Sequence, residues 1–466
     1  TRLLSIGLIA GALVNAALAW AESTVNLGKV WAGFGLTDGR PFAFMANPVH
    51  LAALCVAALW LVLSREASHR EPTPWLVAVA LLVGATNLAG SRIALVLAAL
   101  MVIGFAILLT RRKWWIHAGV LVAVATVGFG LSLLPGKSGD AGNSRVVSAP
   151  TSGIASRIEI WEHAAQATFD RPLLGWGPGR SYQATTPLRS VEAARSEGPE
   201  IIYRDMHNFL VEVLVGTGFL GFLAFGGWLV TASRRARGPL AGFAAVGAAV
   251  LMVQPALFMF APLLTLALGA ASADGDDAVR ISRGLWSSRS LRIASTITVV
   301  IGLGAGVWLL AADSDYYRAT TEQRLAPLDS WASKRSPWPE ELSLTAKLWD
   351  AQATVQPTRE AGRNAIRAER DARDRDPYDP RAWVAYGVLQ QKWGSRAEAR
   401  RAYVRSLQLN PWGVQALRNL LSMEAEDGDV AGVKRYRATL CEIGPDWCPS
   451  QAQVDASARA GTATGG

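Results

Sequence analysis

Cysteine is nearly absent, with three in 466 residues, which excludes a disulfide framework or a cysteine-rich zinc module. Histidine is almost as scarce, with five in all. No cluster of Asp, Glu and His has metal-ligand spacing, so no bound metal is expected. Charge is also in short supply. Asp, Glu, Lys and Arg make up 18% of the chain, against about 25% in an average soluble domain. Hydrophobic residues fill the gap at 51%, and the mean hydropathy is +0.21. The composition excludes an ordinary soluble enzyme. The formal charge of +9 comes from 46 basic and 37 acidic residues. The excess lies before residue 313, with 24 basic against 16 acidic, while the remainder balances at 22 against 21. Basic residues among apolar runs read as membrane-flanking charge, and no nucleic-acid partner is expected.

Nine apolar runs approach or reach the roughly 17–25 residues that a bilayer-spanning helix needs. They lie at about 2–20, 47–64, 74–90, 92–110, 114–134, 208–231, 239–254, 256–272 and 291–312. The seventh and eighth flank Pro255 and form either two short spans or one span with a re-entrant piece. The chain opens directly in an apolar run without an initiator Met, and further spans are expected ahead of it. Lys and Arg of the short loops set the orientation. Arg65 and Arg70, Arg111 to Lys113, Arg234 to Arg237, and Arg280, Arg283 and Arg289 fall on one side, the cytoplasm. The segment 135–206 and everything after 312 are then extracytoplasmic. The expected fold is all-α, a polytopic transmembrane helix bundle (1–312) with a long extracytoplasmic loop (about 135–206) and a soluble helical domain after it.

Composition changes after Ala312. Pro377, Pro411 and Pro445 are 34 residues apart, as are Ala382 and Ala416, and Gly394 and Gly428. A period of 34 with helical apolar spacing resembles tetratricopeptide repeats. Trp383, Tyr386 and Gly387 fit the first helix of a unit, and Ala399, Ala402 and Tyr403 the second. The stretch Glu360–Pro377 reads as half a unit. The expected division is a helical linker at 313–359, repeats at 360–450 and a disordered tail at 451–466. Such an array is a binding surface, and a protein partner is expected on it. Cys441 and Cys448 either pair or remain free thiols.

Chemistry is sought in the long loop, because loops of that length between spans are usually functional. It opens with a Gly/Ser-rich stretch. Ser156-Arg157-Ile158-Glu159 then reads as a capping box that starts a helix, with Arg157 at its beginning and Ile158, Trp161, Ala165 and Phe169 on one face. An amphipathic helix lying on the membrane surface has the same pattern. The helix ends at Arg171-Pro172, and a turn, Gly175-Trp176-Gly177-Pro178-Gly179, follows. His163 points to a different face from Arg157 and reads as structural. The loop closes with Met206-His207-Asn208 at the mouth of the next span. Histidine is the side chain whose charge changes near neutrality. Arg92 opens another span at the same outer face. An arginine there binds an anion or snorkels to headgroups, and a loop histidine can equally serve as a simple hydrogen-bond donor. Two guanidiniums and an imidazole at one face suit a lipid diphosphate and an acceptor hydroxyl.

Four motifs match a known family. His207-Asn208, nine residues, then Gly218-Phe219-Leu220-Gly221 resembles the signature of bacterial O-antigen ligases and related polysaccharide polymerases. Arg157-x-x-x-Trp161 followed by Pro172-Leu173-Leu174-Gly175-Trp176-Gly177 is similar to that family's loop motif. Gly90-Ser91-Arg92 resembles its Ser-Arg helix start, and Phe44 to Ala52 its Asn-Pro-x-x-Leu-Ala segment. The resemblance covers about residues 40–270. It implies a metal-independent, cofactor-free, inverting membrane glycosyltransferase in a bacterial inner membrane, with a glycan on undecaprenyl diphosphate as donor. The acceptor is lipid A–core, or a glycan in the polymerases. Carried over, Arg92 and Arg157 bind the diphosphate and His207 activates the acceptor. Arg180, Arg204, Asn208 and Glu212, one turn below His207, are candidate substrate contacts. A non-catalytic membrane scaffold is the alternative. A transporter ranks third, because the spans carry little charge away from their ends.

Overall fold

In a computed structural model the described residues are mainly helical, with a two-residue antiparallel pairing of Leu36–Thr37 with Arg40–Pro41. The structure describes residues 2–25, 36–37, 40–41, 43–45, 47–66, 73–134, 152–203, 205–252, 261–272, 288–335 and 339–456. The Gly/Ser-rich stretch, Pro255 and Arg204 therefore lie outside the described residues. Two units are distinguished: Thr1–Arg157 with Thr168–Gly179 and Asp205–Leu285, and Ile158–Ala167 with Arg180–Arg204 and Trp286–Gly466.

Each apolar run becomes a helix because a continuous apolar stretch hides its backbone polar groups best by bonding them internally. In the first unit these are α1 (Arg2–Thr24), α2 (Pro48–Glu66), α3 (Thr73–Leu88), α4 (Arg92–Arg111) and α5 (Trp115–Leu131). The loop helix α6 (Ser152–Asp170) contributes to both units. In the second unit α7 (Ser181–Thr185) and α8 (Val191–Glu197) follow, and α9 (Phe209–Arg235), α10 (Gly238–Leu251) and α11 (Ala261–Ser272) return to the first. Among the described residues three helices, α1, α4 and α9, are long and apolar enough to cross a membrane, and Pro48–Ser64, Trp75–Leu88, Trp115–Leu131, Gly238–Leu251 and Pro262–Ser272 are shorter apolar helices.

The packing is that of a membrane protein. α2 is buried on all sides, every residue from Leu51 to Leu59 being inaccessible or nearly so, as expected of a helix apolar all round. α4 turns its small residues Ala94 and Ala98 inward and leaves Val96, Leu100, Ile103 and Ile107 exposed. Inside-out amphipathicity of this kind suits lipid, where helix association runs on close packing of small residues. α3 and α5 meet backbone to backbone: a Cβ on Gly128 would lie 2.3 Å from the Ala80 carbonyl oxygen.

The second unit carries α12 (Ser288–Glu322), a short turn α13 (Trp331–Lys334), and then α14 (Pro339–Val355), α15 (Arg359–Arg375), α16 (Pro380–Trp393), α17 (Arg396–Leu409), α18 (Val414–Asp427) and α19 (Val430–Ile443). From α14 onward each helix packs on the next. Polar side chains start four of them: Thr358, Asp379, Ser395 and Asp429 each accept a backbone N–H of the first turn, which fills donors a helix start leaves open. Ala399, Ala402 and Tyr403 are buried, and a Cβ on Gly387 would reach 2.5 Å from the Tyr403 ring. Two boundaries differ from the sequence reading. α14, assigned there to the linker, pairs with α15, so Glu360–Pro377 belongs to a full helix pair. Residues 451–456, assigned to the tail, are helical, and Val454 is buried against Leu440 and Ile443. Cys441 and Cys448 form a disulfide, which closes the end of α19.

Glu369 on α15 is 2% exposed and accepts a hydrogen bond from Ser343 Oγ at 3.2 Å. Burial pushes its carboxyl up to about 7, the Ser343 bond opposing the rise. The folded state thus holds a proton that the unfolded state releases at about 4.5, and stability falls as pH rises from there through 7. Glu369→Gln keeps the Ser343 contact without the buried charge. It is expected to stabilise the chain by roughly 1–3 kcal/mol at pH 8 and by almost nothing below pH 4.5, a difference that thermal unfolding at the two pH values would read.

Candidate active site at the mouth of α9

α9 is one helix by hydrogen bonding but two by geometry. Gly218 has φ 64° and ψ −172°, which breaks the coil two turns in. The freed backbone is taken up by the loop turn that follows α6. Trp176 N–H donates to Val215 O at 2.9 Å and Gly177 N–H to Gly216 O at 2.9 Å. In the other direction Phe219 N–H donates to Pro172 O at 2.7 Å and Leu220 N–H to Leu173 O at 3.3 Å. The approach is so close that a Cβ on Gly218 would lie 2.5 Å from Leu173 O, and one on Gly175 2.4 Å from Val215 O. Gly175 N–H closes its own turn on Arg171 O at 3.0 Å, and the Arg171 guanidinium covers the Trp176 ring at 4.2 Å. The glycine motifs of the loop and of α9 are therefore one structure.

Above this ladder the chain bends through Asp205-Met206-His207-Asn208. Met206 is fully buried, and its N–H donates to Glu212 Oε2 at 3.1 Å. Asn208 caps α9, its Oδ1 accepting from Leu210 N at 2.9 Å and Val211 N at 3.2 Å. Glu212 and Asn208, expected as substrate contacts, thus have positioning work at the helix start. Between them His207 is held at φ 49°, a backbone region costly for a residue with a Cβ and one that concentrates at functional sites.

Asp205 ties the cluster together. Its Oδ1 accepts the His207 backbone N–H at 2.9 Å and lies 3.3 Å from His207 Nδ1. The latter is ion-pair distance without hydrogen-bond alignment, and Nδ1 has no hydrogen-bond partner among the described residues. The same carboxylate acts on Arg157. Burial lowers the Arg157 pKa from its ordinary value and the charge of Asp205 raises it. The sequence reading missed Asp205. Its signal, an acidic residue two positions before His207, gains meaning only from the bend that folds the two together.

The structure thus sets the Asp205 carboxylate against His207, and the same charge is felt at Arg157. Arg92 opens α4 after Ser91 and is exposed; the cluster is defined without it. Arg180 is an exposed residue preceding α7 in the second unit. Among the described residues no three His, Cys, Asp or Glu side chains gather into a metal-binding group.

Two details of α6 correct the sequence reading. The helix begins at Ser152, so Ser156 lies within it and Arg157 is in its second turn. Glu159, assigned to a capping box, accepts Ser190 N–H at 3.1 Å. The inward face is Ile160, His163, Ala164, Ala167 and Thr168, while Ile158 is 49% and Phe169 74% exposed. Ile158, Ala165 and Phe169 share an exposed face, and the inward face mixes the large Ile160 with the small Ala164 and Ala167. His163 is buried as a structural residue; burial holds its imidazole below the usual range, against Glu159 and Glu162.

Residues 77–226 match the family model for O-antigen ligases. Three of the four motifs lie within the match, including the ladder, Arg157, Asp205 and His207; the Phe44–Ala52 segment precedes it. The match supports a membrane glycosyltransferase of O-antigen ligase or polymerase type in general terms. No curated protein and no solved structure matches the chain.

Proposed function

We propose that the chain transfers a glycan from undecaprenyl diphosphate to an acceptor hydroxyl on the extracytoplasmic face of a bacterial inner membrane. The acceptor oxygen attacks the anomeric carbon, the bond from that carbon to the diphosphate oxygen breaks, and the hydroxyl proton passes to His207. Asp205 beside Nδ1 leaves Nε2 to take that proton and stabilises the imidazolium that forms. Arg157 and Arg92 neutralise the departing diphosphate, since guanidinium forks pair with phosphate oxygens in two-point fashion. Arg180 and Arg204 are further candidates for the same anion. The scheme uses no metal ion. The observation that carries it is geometric: the Asp205 carboxylate lies 3.3 Å from His207 Nδ1 and accepts the His207 backbone N–H, with His207 in a strained backbone, inside the family-matched span. The disulfide in the second unit supports an oxidising, extracytoplasmic setting for the C-terminal helices. Their 34-residue period supports a tetratricopeptide-like reading.

The experiment is a surface-glycan gel of a deletion strain complemented with wild type, Asp205→Asn or Arg157→Ala at equal membrane level. Asp205→Asn keeps a side-chain acceptor for the His207 amide but removes the charge, and a fall of roughly ten- to hundredfold is expected; Arg157→Ala should cost roughly a hundredfold or more. Unattached polymer beside free core would mark a ligase, and core capped by single repeat units a polymerase. Wild-type glycan from both variants would leave the scaffold reading standing.

A further inference from the structure

The C-terminal helices were expected to offer their surface to a separate protein. In the second unit part of that surface holds the chain's own loop. Residues 180–203 lie on the array through contacts that join residues more than 190 positions apart. The Tyr182 hydroxyl donates to Asp376. Asn410 Nδ2 donates to Pro199 O at 2.9 Å, and Trp412 Nε1 to Arg189 O at 2.6 Å. Arg195 donates twice to Glu442 O, at 2.9 and 2.6 Å.

These contacts follow the repeat. Asp376 and Asn410 are 34 residues apart, each just past the C-terminal end of the second helix of a pair, and Glu442 is in the last turn of the next such helix. Charge follows the helix ends as well. The Arg195 guanidinium meets the exposed carbonyl at the end of α19, where a cation is favoured. α18 starts at Gly413, which has no side chain to cap it, and Glu200 of the loop supplies the oxygen instead, accepting Gln415 N–H at 3.0 Å. On the loop side Arg189, 3% exposed, gathers the strand: its guanidinium donates to Ile201 O at 2.5 Å and to Gly198 O at 3.0 Å. The gripped segment ends at Tyr203, four residues before His207 in the chain.

We infer that the helical array is a clamp acting within its own chain: it orders the loop leading to His207, and Arg195 and Trp412 are positioning residues for the transfer proposed above, on which this role rests. An array that reads its own loop through backbone carbonyls and helix ends removes conformational freedom from the segment that presents the catalytic bend, so less is lost when substrate binds.

The test is hydrogen exchange of the full chain in detergent micelles. Tyr182→Phe with Arg195→Ala loosens the loop side without touching the array core, and Trp412→Phe removes one donor from the array side while keeping an aromatic ring. Amides of residues 189–203 are expected to exchange on the order of tenfold faster in both variants, with those of α16 and α17 unchanged. Surface glycan from the complemented strain should fall, and Arg195→Lys should restore it. Unchanged exchange over 189–203 overturns the clamp. Faster exchange with wild-type glycan overturns the positioning role. Glycan that survives His207→Ala sinks the transferase reading, and the positioning role with it, whatever the exchange shows.

Discussion

Replacing His207 with alanine is expected to abolish surface glycan in a complemented deletion strain while membrane expression of the protein stays at the wild-type level. The fold keeps its main tie at this position: Nδ1 has no hydrogen-bond partner among the described residues, and the backbone N–H that Asp205 accepts is kept in the variant. A small side chain at φ 49° is no more strained than the histidine it replaces. What disappears is the proton acceptor, a loss worth roughly 10²–10⁴ in rate for general base catalysis. Transfer measured with purified protein should fall by that factor without a matching rise in KM, because the group acts as the bond forms. His207→Gln, which restores bulk and a hydrogen-bonding tip but takes no proton, should be equally inactive. Activity from the glutamine variant would remove His207 from the chemistry and leave it a spacer.

The largest structural effect is expected at the broken helix. Gly218→Ala places a methyl group 2.5 Å from the Leu173 carbonyl oxygen in a backbone region that favours glycine. Backbone strain alone costs about 1–3 kcal/mol, and the clash falls on backbone atoms that can move only by breaking the ladder. A loss on the order of 4 kcal/mol is expected. Gly175→Ala, blocked by Val215 O at 2.4 Å, should behave alike. Two controls separate the causes. Gly179 has φ +72° with no atom of the described residues near a built Cβ, so Gly179→Ala pays strain only, about 1 kcal/mol. Gly226 lies within α9 with no atom of the described residues within 4 Å of a built Cβ, so Gly226→Ala should be neutral or slightly stabilising. Thermal unfolding in detergent, followed by tryptophan fluorescence, ranks the four. Equal behaviour of Gly218→Ala and Gly179→Ala would mean that the ladder is not tight.

The apolar runs were legible because a stretch of some 20 apolar residues has one good solution, a helix. The glycine motifs and His207 were legible as a pattern, though their joining was not. Nothing in Pro172 to Gly177 announces that its amides bond to Val215 and Gly216, because backbone pairing across a broken helix leaves no side-chain signature. On α6 the sequence put Ile158, Trp161, Ala165 and Phe169 on one face but did not fix which way that face turns. Ile158 and Phe169 turn outward while Ile160, Ala164 and Ala167 pack. Asp205 was overlooked since an aspartate beside a histidine is ordinary until the bend is known. The grip of Asn410, Trp412 and Gln415 on the loop was invisible for a related reason: its acceptors are two backbone carbonyls and one ordinary glutamate.

The ladder between residues 172–177 and 215–220 also sets rules for engineering. Two stretches some forty residues apart in sequence form a single backbone unit, so neither is portable alone. A chimera that imports a foreign loop between α5 and α9 must either carry a turn able to donate to Val215 and Gly216, or bring its own version of the α9 start. The natural exchange boundaries lie just after Gly177 and just before Asp205. Between them lies the segment held by the C-terminal helices, so a swap there keeps the splice into the membrane helix but must also preserve the contacts of Tyr182, Arg189, Arg195, Pro199 and Glu200 with the array.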